Sequence, residues 1–291
     1  MQTIVTHAGS FDPDDVLAVA VVTMFLGEEK CEIIRSRDQV VIDQADWVVD
    51  VGGIYKKERK RFDHHQDDVP ERANHVPYSS FGLVWEELGE ELCGSAAVAK
   101  RIEEKLVYPI DAADNSMQVC CDCGNGIKAY ELYDVINTYK PAWGRDEDFY
   151  NGFMRAVSFA RKMIKRQIVT ERGELAMLEY AKGVIDASEN KEVVAFEKPV
   201  IRHVLAELPD IKGFVSPVFD PTSSDWMAVT VPVNSRSFTN RMSFPEEWRG
   251  KSLEELHEVT GLSGVTFCHK ELYFVVASSK EAALQAIAAA K

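Results

Sequence analysis

The sequence predicts an α/β protein: a mostly parallel sheet covered by helices, followed by a smaller second α/β domain. Three observations predict it. Through the first half, short β-branched runs alternate with longer stretches of helical spacing, the pattern that builds parallel sheets with helices on their faces. A long helical stretch and a charged segment containing Pro199, "ENKEVVAFEKP", interrupt that alternation. A second αβ alternation then fills the remainder, so domains are expected at 1–190 and 191–291.

The elements follow in order. "TIVTH" (3–7) reads as a strand, and "DDVLAVAVVTMFL" (14–26) has the dense apolar spacing of a buried helix that stops at Gly27, where a helix end favours glycine. "CEIIRS" is a second strand, "DWVVDVGG" (46–53) a third closed by paired glycines, and a short strand through Arg61 and Phe62 delivers "DHH". Helical spacing runs from Ser80 to about Leu106, from Ile127 to about Thr138, and from Glu147 to about Ala187 as one long helix or two consecutive ones. In the second region, strands are expected at 214–219, 226–231 and 273–277, with helices after Lys251 and from Ser279 onward. No internal repeat or low-complexity tract appears.

Composition narrows the function classes. Hydrophobic residues at 46% and charged residues at 27% describe a globular chain. No apolar run approaches the length of a membrane span, and "MQTIVTHAGSFDPDD" lacks the basic start and apolar core of a secretory signal. A cytoplasmic protein with no membrane partner is expected. The formal charge of -14 argues against holding nucleic acid by a broad basic face. Phosphate would have to be bound by metals or by a few local cations. Cys120, Cys121 and Cys123 crowd into "VCCDCGNG", a spacing poor for a structural zinc site, and reduced, non-ligating thiols are expected there. The five tryptophans, Trp143, Trp226 and Trp248 among them, are expected in the core.

The chemistry sits where the strands end. In parallel sheets ligands bind beyond the carboxyl ends of the strands; His7 closes the first strand, Asp50 the third, and Asp63, His64 and His65 follow the short one. A pair of hard divalent cations about 3.5–4 Å apart needs histidine and carboxylate ligands with at least one carboxylate shared. His7, Asp12, Asp14, Asp15, Asp50, Asp63, His64, His65, Asp111 and Asp114 are the candidates. Each has a plainer reading: a satisfied core histidine, a solvated turn, or acids serving a helix amino terminus, which is the reading taken for Asp15. Together, at strand ends in three separate segments, they predict a metal site.

"THAGSFDPDDVLAVA", "VVDVGG", "RKRFDHHQ", "SSFGLVWEELG", "IDAADN" and the terminal "SFPEEWRGKSLEELHEVTGLSGVTFCH" resemble, in order, the blocks of the Myg-one (melanocyte-proliferating-gene type) exonuclease family, a branch of the DHH phosphoesterase superfamily. The resemblance runs from Thr6 to about Gln285 and implies a DHH phosphoesterase-like fold. It implies one metal on His7, Asp12 and Asp50, and a second on Asp14, Asp50, His64 and Asp114, with Asp111 the rival for the last place. His65 would face the substrate phosphate and Asp63 would orient a histidine, so that Asp50, His64, His65 and Asp63 form the catalytic set. The family usually has histidine where this chain has Asp12, a change that moves the expected ion toward Mg or Mn.

The expected function is two-metal phosphodiester hydrolysis. As the resemblance implies, it would be that of a 3'-5' exonuclease on RNA or short oligonucleotides, with a homodimer kept open. Arg236, Arg241, Arg249 and His269 in the second domain are candidates to clamp phosphate or nucleotide, Arg249 and His269 being favoured because they lie in the family-like block. Two alternatives stand beside it: hydrolysis of a small phosphorylated molecule such as a cyclic dinucleotide, pyrophosphate or nucleoside bisphosphate, and a non-catalytic metal or nucleotide binder.

Overall fold

The computed structural model describes residues 1–67, 69–117, 119, 128–145 and 147–291. The chain divides into two compact units, Met1–Arg172 and Gly173–Lys291.

The first unit carries β1 (Gln2–Thr6), α1 (Pro13–Leu26), β2 (Cys31–Arg35), α2 (Gln39–Gln44), β3 (Trp47–Val49), β4 (Tyr55–Lys56) and β5 (Arg61–Phe62). After these come α3 (Ser80–Cys93), α4 (Ala96–Ile102), α5 (Tyr108–Asp114), α6 (Leu132–Asn137) and the first part of α7 (Phe149–Ala187). The sheet order is β2-β1-β3-β5-β4. All neighbours pair parallel except β4, which runs antiparallel to β5. The mostly parallel sheet is therefore present.

Hydrophobic burial sets this layer. Ile4, Val5, Trp47, Val48, Val49 and Phe62 are buried, and so is α1 on every side from Pro13 to Thr23. A helix without a polar face must be covered all round, and each fully buried Val or Leu there contributes about 1.5–3 kcal/mol. Its start is built by a capping box in which Asp12 Oδ1 accepts from Asp14 N (3.1 Å) and Asp15 Oδ1 accepts from Asp12 N (2.9 Å). The helical spacing from Ser80 to about Leu106 is divided between successive helices. Gly94 takes φ +62° and closes α3 in the left-handed conformation, after which Ser95 caps a new helix.

The second unit takes the end of α7, then β6 (Val193–Ala195), α8 (Arg202–Leu205), β7 (Gly213–Pro217), β8 (Trp226–Thr230), α9 (Leu253–Thr260), β9 (Val265–Cys268), β10 (Phe274–Ala277) and α10 (Lys280–Ala288). The order is β6-β7-β8-β10-β9, with β6 and β7 parallel and the rest antiparallel. Alternating side chains bury both faces. Val215, Ala228 and Val275 pack with Leu256, Ala283 and Ile287, while Phe214, Val229 and Val194 pack with Ala181 and Ile185 of α7.

One expectation needs correcting. Trp248 is buried, but Trp143 is fully exposed, because it lies in the turn between α6 and α7 that Gly144 forms at φ +79°. A surface turn offers no layer to bury a ring. Cys120, Cys121 and Cys123, and Ile127 at the expected start of a helix, lie outside the described residues; Cys31, Cys93 and Cys268 are free thiols.

Candidate functional site

Parallel strands release their chain ends along one edge, and the sheet of the first unit uses this. His7 follows β1, Asp50 follows β3, and Asp63, His64 and His65 follow β5. Asp12 and Asp14 enter with the start of α1, and Asp114 comes from the end of α5. A cavity of about 370 Å³ is lined by His7, Asp12, Arg37, Asp50, Val51, Gly52, Asp63, His64, His65 and Asp114.

Asp50 is the pivot. Its Oδ2 lies 3.3 Å from His7 Nε2, and its Oδ1 lies 3.5 Å from His64 Nε2 and 3.7 Å from His65 Nδ1. Its backbone is left-handed at φ +56°, a conformation uncommon outside glycine, though aspartate tolerates it better than most residues. Strain of this kind concentrates at functional positions. His64 Nε2 also lies 3.8 Å from Asp14 Oδ2 and 3.2 Å from Asp114 Oδ2. Of the two late aspartates left open, Asp114 is the one at His64. Asp111 turns instead to Arg72, 2.6 Å away, and to Ser79 Oγ, also 2.6 Å.

Asp63 holds its neighbours in place. Its Oδ1 accepts from His64 N (2.8 Å) and contacts His65 Nδ1 (2.6 Å), and its Oδ2 accepts from Gly53 N (2.6 Å). His65 is the exposed member, its side chain 64% accessible against 9% for His64. Adjacent histidines thus face different surroundings.

The electrostatics describe a nest of acids short of cations. Burial, then the charges of Asp50, Asp114 and Asp12, push Asp14 well above the ordinary carboxylate range. Burial likewise brings Asp114 and Asp15 to about 6, against the opposing pull of His64 and His7. Burial alone would lower His7, but bonds to Asp15 and Asp50 outweigh it and raise the imidazole to about 10. Asp50 is held low, burial being outweighed by His64 and His7. Ligand atoms bonded at about 2.0–2.2 Å to one cation at angles of 90–110° lie roughly 3–3.5 Å apart, and most of these separations fall close to that range. Two groups, Asp50 with His64 and His65, and Asp14 with His64 and Asp114, bring one ligand atom each within 4.8 Å of one another. The donor set, imidazole and carboxylate without thiolate, fits a hard or borderline divalent cation.

Several groups that serve this site carry no motif. Asp14, 1% exposed, accepts from Ser79 Oγ (2.6 Å), Phe81 N (2.5 Å) and Ser80 N (3.2 Å). Ser79 thus stands between the carboxylates of Asp14 and Asp111. Behind Asp111, the Arg72 guanidinium lies over the rings of Tyr78 (3.6 Å) and Tyr108 (4.8 Å). Gly82 makes room for the pair, because a Cβ there would collide with Asp111 Oδ2 and the Arg72 guanidinium. Asp15, read as a helix-terminal acid, does fill that role, and it also places Oδ2 3.2 Å from His7 Nε2. Burial and the Asp12 and Asp114 charges raise the Tyr133 hydroxyl. Serines ahead of a helix and a glycine inside one were the available signals, and neither points to a site by itself.

The four candidates in the second unit are differently engaged. Arg241 donates to the carbonyls of Leu208 (2.5 Å), Ile211 (2.7 Å) and Ala206 (2.8 Å). Arg249 pairs with Glu246 (2.5 Å) and donates to the Lys270 carbonyl (2.5 Å). His269 Nδ1 accepts from Glu271 N (3.1 Å), and its ring lies 4.5 Å from Tyr273. Arg236 is exposed, its backbone N–H bonded to Asn234 Oδ1 (3.0 Å). Among the described residues, no helix is long and apolar enough to cross a membrane.

The family model named for the MYG1 exonuclease, and described as an uncharacterised protein family (UPF0160), matches residues 3–290. The MYG1 protein of Chlamydia pneumoniae is 29% identical over 98% of this chain and 95% of its own length. The MYG1 exonuclease of Homo sapiens is 26% identical over 96% of this chain and 83% of its own. Among solved structures, the pGpG-specific phosphodiesterase PggH from Vibrio cholerae covers 95% of this chain and 92% of its own at 13% identity, with a TM-score of 0.34.

Proposed function

The chain belongs to the MYG1 exonuclease family, and from that premise we propose a two-metal phosphodiester hydrolase of the DHH phosphoesterase type, a 3'-5' exonuclease on RNA or short oligonucleotides. The observation that carries the reading is Asp50, one buried carboxylate whose two oxygens face His7 on one side and His64 on the other. That is the placement a carboxylate shared by two cations requires.

His7, Asp12 and Asp50 would hold one cation, and Asp14, Asp50, His64 and Asp114 the other, with Mg or Mn suited to so many carboxylates. Bound there, the cations would supply Lewis acidity, acidifying a water and neutralising charge at phosphorus. The chain's own groups do the rest. Ser79, Ser80 N and Phe81 N fix the Asp14 carboxylate so that it does not swing away. Asp63 holds His65 by Nδ1, which leaves Nε2 as the ring nitrogen available to the substrate phosphate. Attack in line with the leaving oxygen then breaks one P–O bond and forms another to the water oxygen.

The test is hydrolysis of a 5'-labelled short RNA in Mn or Mg, with EDTA and Asp50→Asn as controls. A ladder shortening from the 3' end, dependent on both metal and Asp50, is expected. Metal-independent cleavage, or an Asp50→Asn protein as active as the parent, would overturn the reading. A second reading, hydrolysis of a small phosphorylated molecule, is favoured by the charge of -14, which repels long nucleic acid. Turnover of bis-p-nitrophenyl phosphate without any RNA ladder would move the assignment there.

A further inference from the structure

Acids and histidines make up most of the cavity wall, and Arg37 is the one arginine or lysine among its described lining residues. It stands two residues beyond β2, where Ser36 N still donates to Thr6 O (2.8 Å) and extends the pairing with β1. Arg37 Nε donates to Ala8 O (3.4 Å), which lays the guanidinium beside the loop that follows His7. The rest of that side chain is exposed, and no ion pair to it is found among the described residues.

Its neighbours show what an engaged arginine and an engaged aspartate look like here. Arg35 donates to Gly9 O (2.9 Å) and Ser10 O (3.1 Å) and stacks 4.4 Å over Phe153. Asp38, next in sequence, is turned away to cap α2, accepting from Val40 N (2.9 Å). Among the described residues Arg37 therefore keeps its Nη donors unpaired, at the edge of a cavity whose acids suit cations and where it can meet an anionic substrate.

Its place along the sheet edge gives it a role of its own. With the order β2-β1-β3-β5-β4, Arg37 follows the edge strand β2 and His65 follows β5, with β1 and β3 between them. Asp50 and His7, 3.3 Å apart, and then Ala8 stand in a row between them. His65 leans toward Asp50 (3.7 Å) and the candidate metal ligands. Arg37 lies at the far end of that row.

Resting on the phosphodiesterase reading above, we propose that Arg37 is a subsite for the phosphate that neighbours the scissile one, on its 5' side. The substrate class is then a 5'-phosphorylated di- or oligonucleotide rather than an isolated phosphodiester. A guanidinium matches phosphate geometry in a way an ammonium does not.

The experiment compares two diadenosine dinucleotides, with and without a 5'-phosphate, in Mn, for the wild-type chain, Arg37→Ala and Arg37→Lys. We expect wild type to favour the 5'-phosphorylated dinucleotide by about tenfold in kcat/KM, through KM, as one charge-assisted contact allows. Arg37→Ala should bring the ratio close to one and Arg37→Lys should keep part of it. No preference in wild type, or a preference that survives Arg37→Ala, overturns the proposal. Calorimetric binding of the phosphorothioate forms of both dinucleotides is run in parallel. If neither dinucleotide is cleaved but the affinity preference is present and lost in Arg37→Ala, the hydrolase reading fails and the subsite stands. Equal affinities in wild type and Arg37→Ala reject the subsite.

Discussion

The two sheets treat their charged side chains in opposite ways. In the first unit, Asp14, Asp15, Asp50, Asp63 and Asp111 are buried, and much of what faces them is other acids or histidines. In the second, Arg241 is spent on backbone carbonyls and Arg249 on an exposed glutamate. A parallel sheet delivers its strand ends to one edge and can gather side chains there, whereas a largely antiparallel sheet divides its ends between two edges. The lesson is that buried charge without its counter-charge separates a working edge from a merely stable one.

The sharpest way to break this contrast is Asp50→Asn. Activity on a phosphodiester should fall by orders of magnitude, with an unchanged circular dichroism spectrum; a small loss would mean that Asp50 is not the shared ligand. Next comes Arg72→Met, which leaves Asp111 buried without its cation. Removing one partner of a buried pair costs about 3–5 kcal/mol, so denaturant midpoints should drop clearly, and Mn affinity should weaken as Asp14 loses its support.

The third prediction concerns pH in the metal-free protein. Asp15, Asp111 and Asp114 are raised from an ordinary 3.8 to about 6, so the folded form binds their protons more tightly, and this contribution to stability is lost as pH rises from about 4 through 6. His7, raised from 6.5 to about 10, contributes fully below about 6.5 and loses that contribution as pH climbs toward 10. Asp50, held low, acts the other way, and its contribution is lost only as pH falls below about 4. Cations replace the protons. The rise in melting temperature on adding Mn should therefore be larger near pH 8 than near pH 5, and equal shifts at both would count against the nest as the binding site.

Smaller effects are expected in the second unit. Arg241→Ala strands the carbonyls of Ala206, Leu208, Pro209 and Ile211 and should cost about 1–3 kcal/mol while leaving Mn affinity alone, both readable from a melt with and without metal. Arg249→Ala removes an exposed pair, and such pairs are worth about 0–1 kcal/mol. Its melting point should barely move.

Much of this edge was legible in the sequence, because a β-branched run followed by a polar residue marks a strand end. His7, Asp50, Asp63 and His64 were found that way, and Asp12 and Asp14 by their place before a helix. What could not be read depends on distant approach: Ser79 meets Asp14 across 65 positions and Asp111 across 32. Of the fold, β4 and β5 are two residues each; β5 was recognised from its neighbours and β4 was not, since two residues carry no period. β6 was hidden in a charged segment, and the edge strand β9 shows a buried-exposed-exposed-buried pattern that lacks alternation. α2 is a single capped run of six residues, too short for helical spacing to declare itself.

The left-handed backbone at Asp50 has a consequence for sequence drift. Asparagine or glycine would accept that backbone but surrender the charge, and glutamate would keep the charge but strain the backbone and overreach by a methylene. No single replacement preserves both properties. Position 50 thus resists gradual change: a lineage that leaves aspartate there gives up in one step the carboxylate that faces both His7 and His64, with no intermediate residue that keeps both properties.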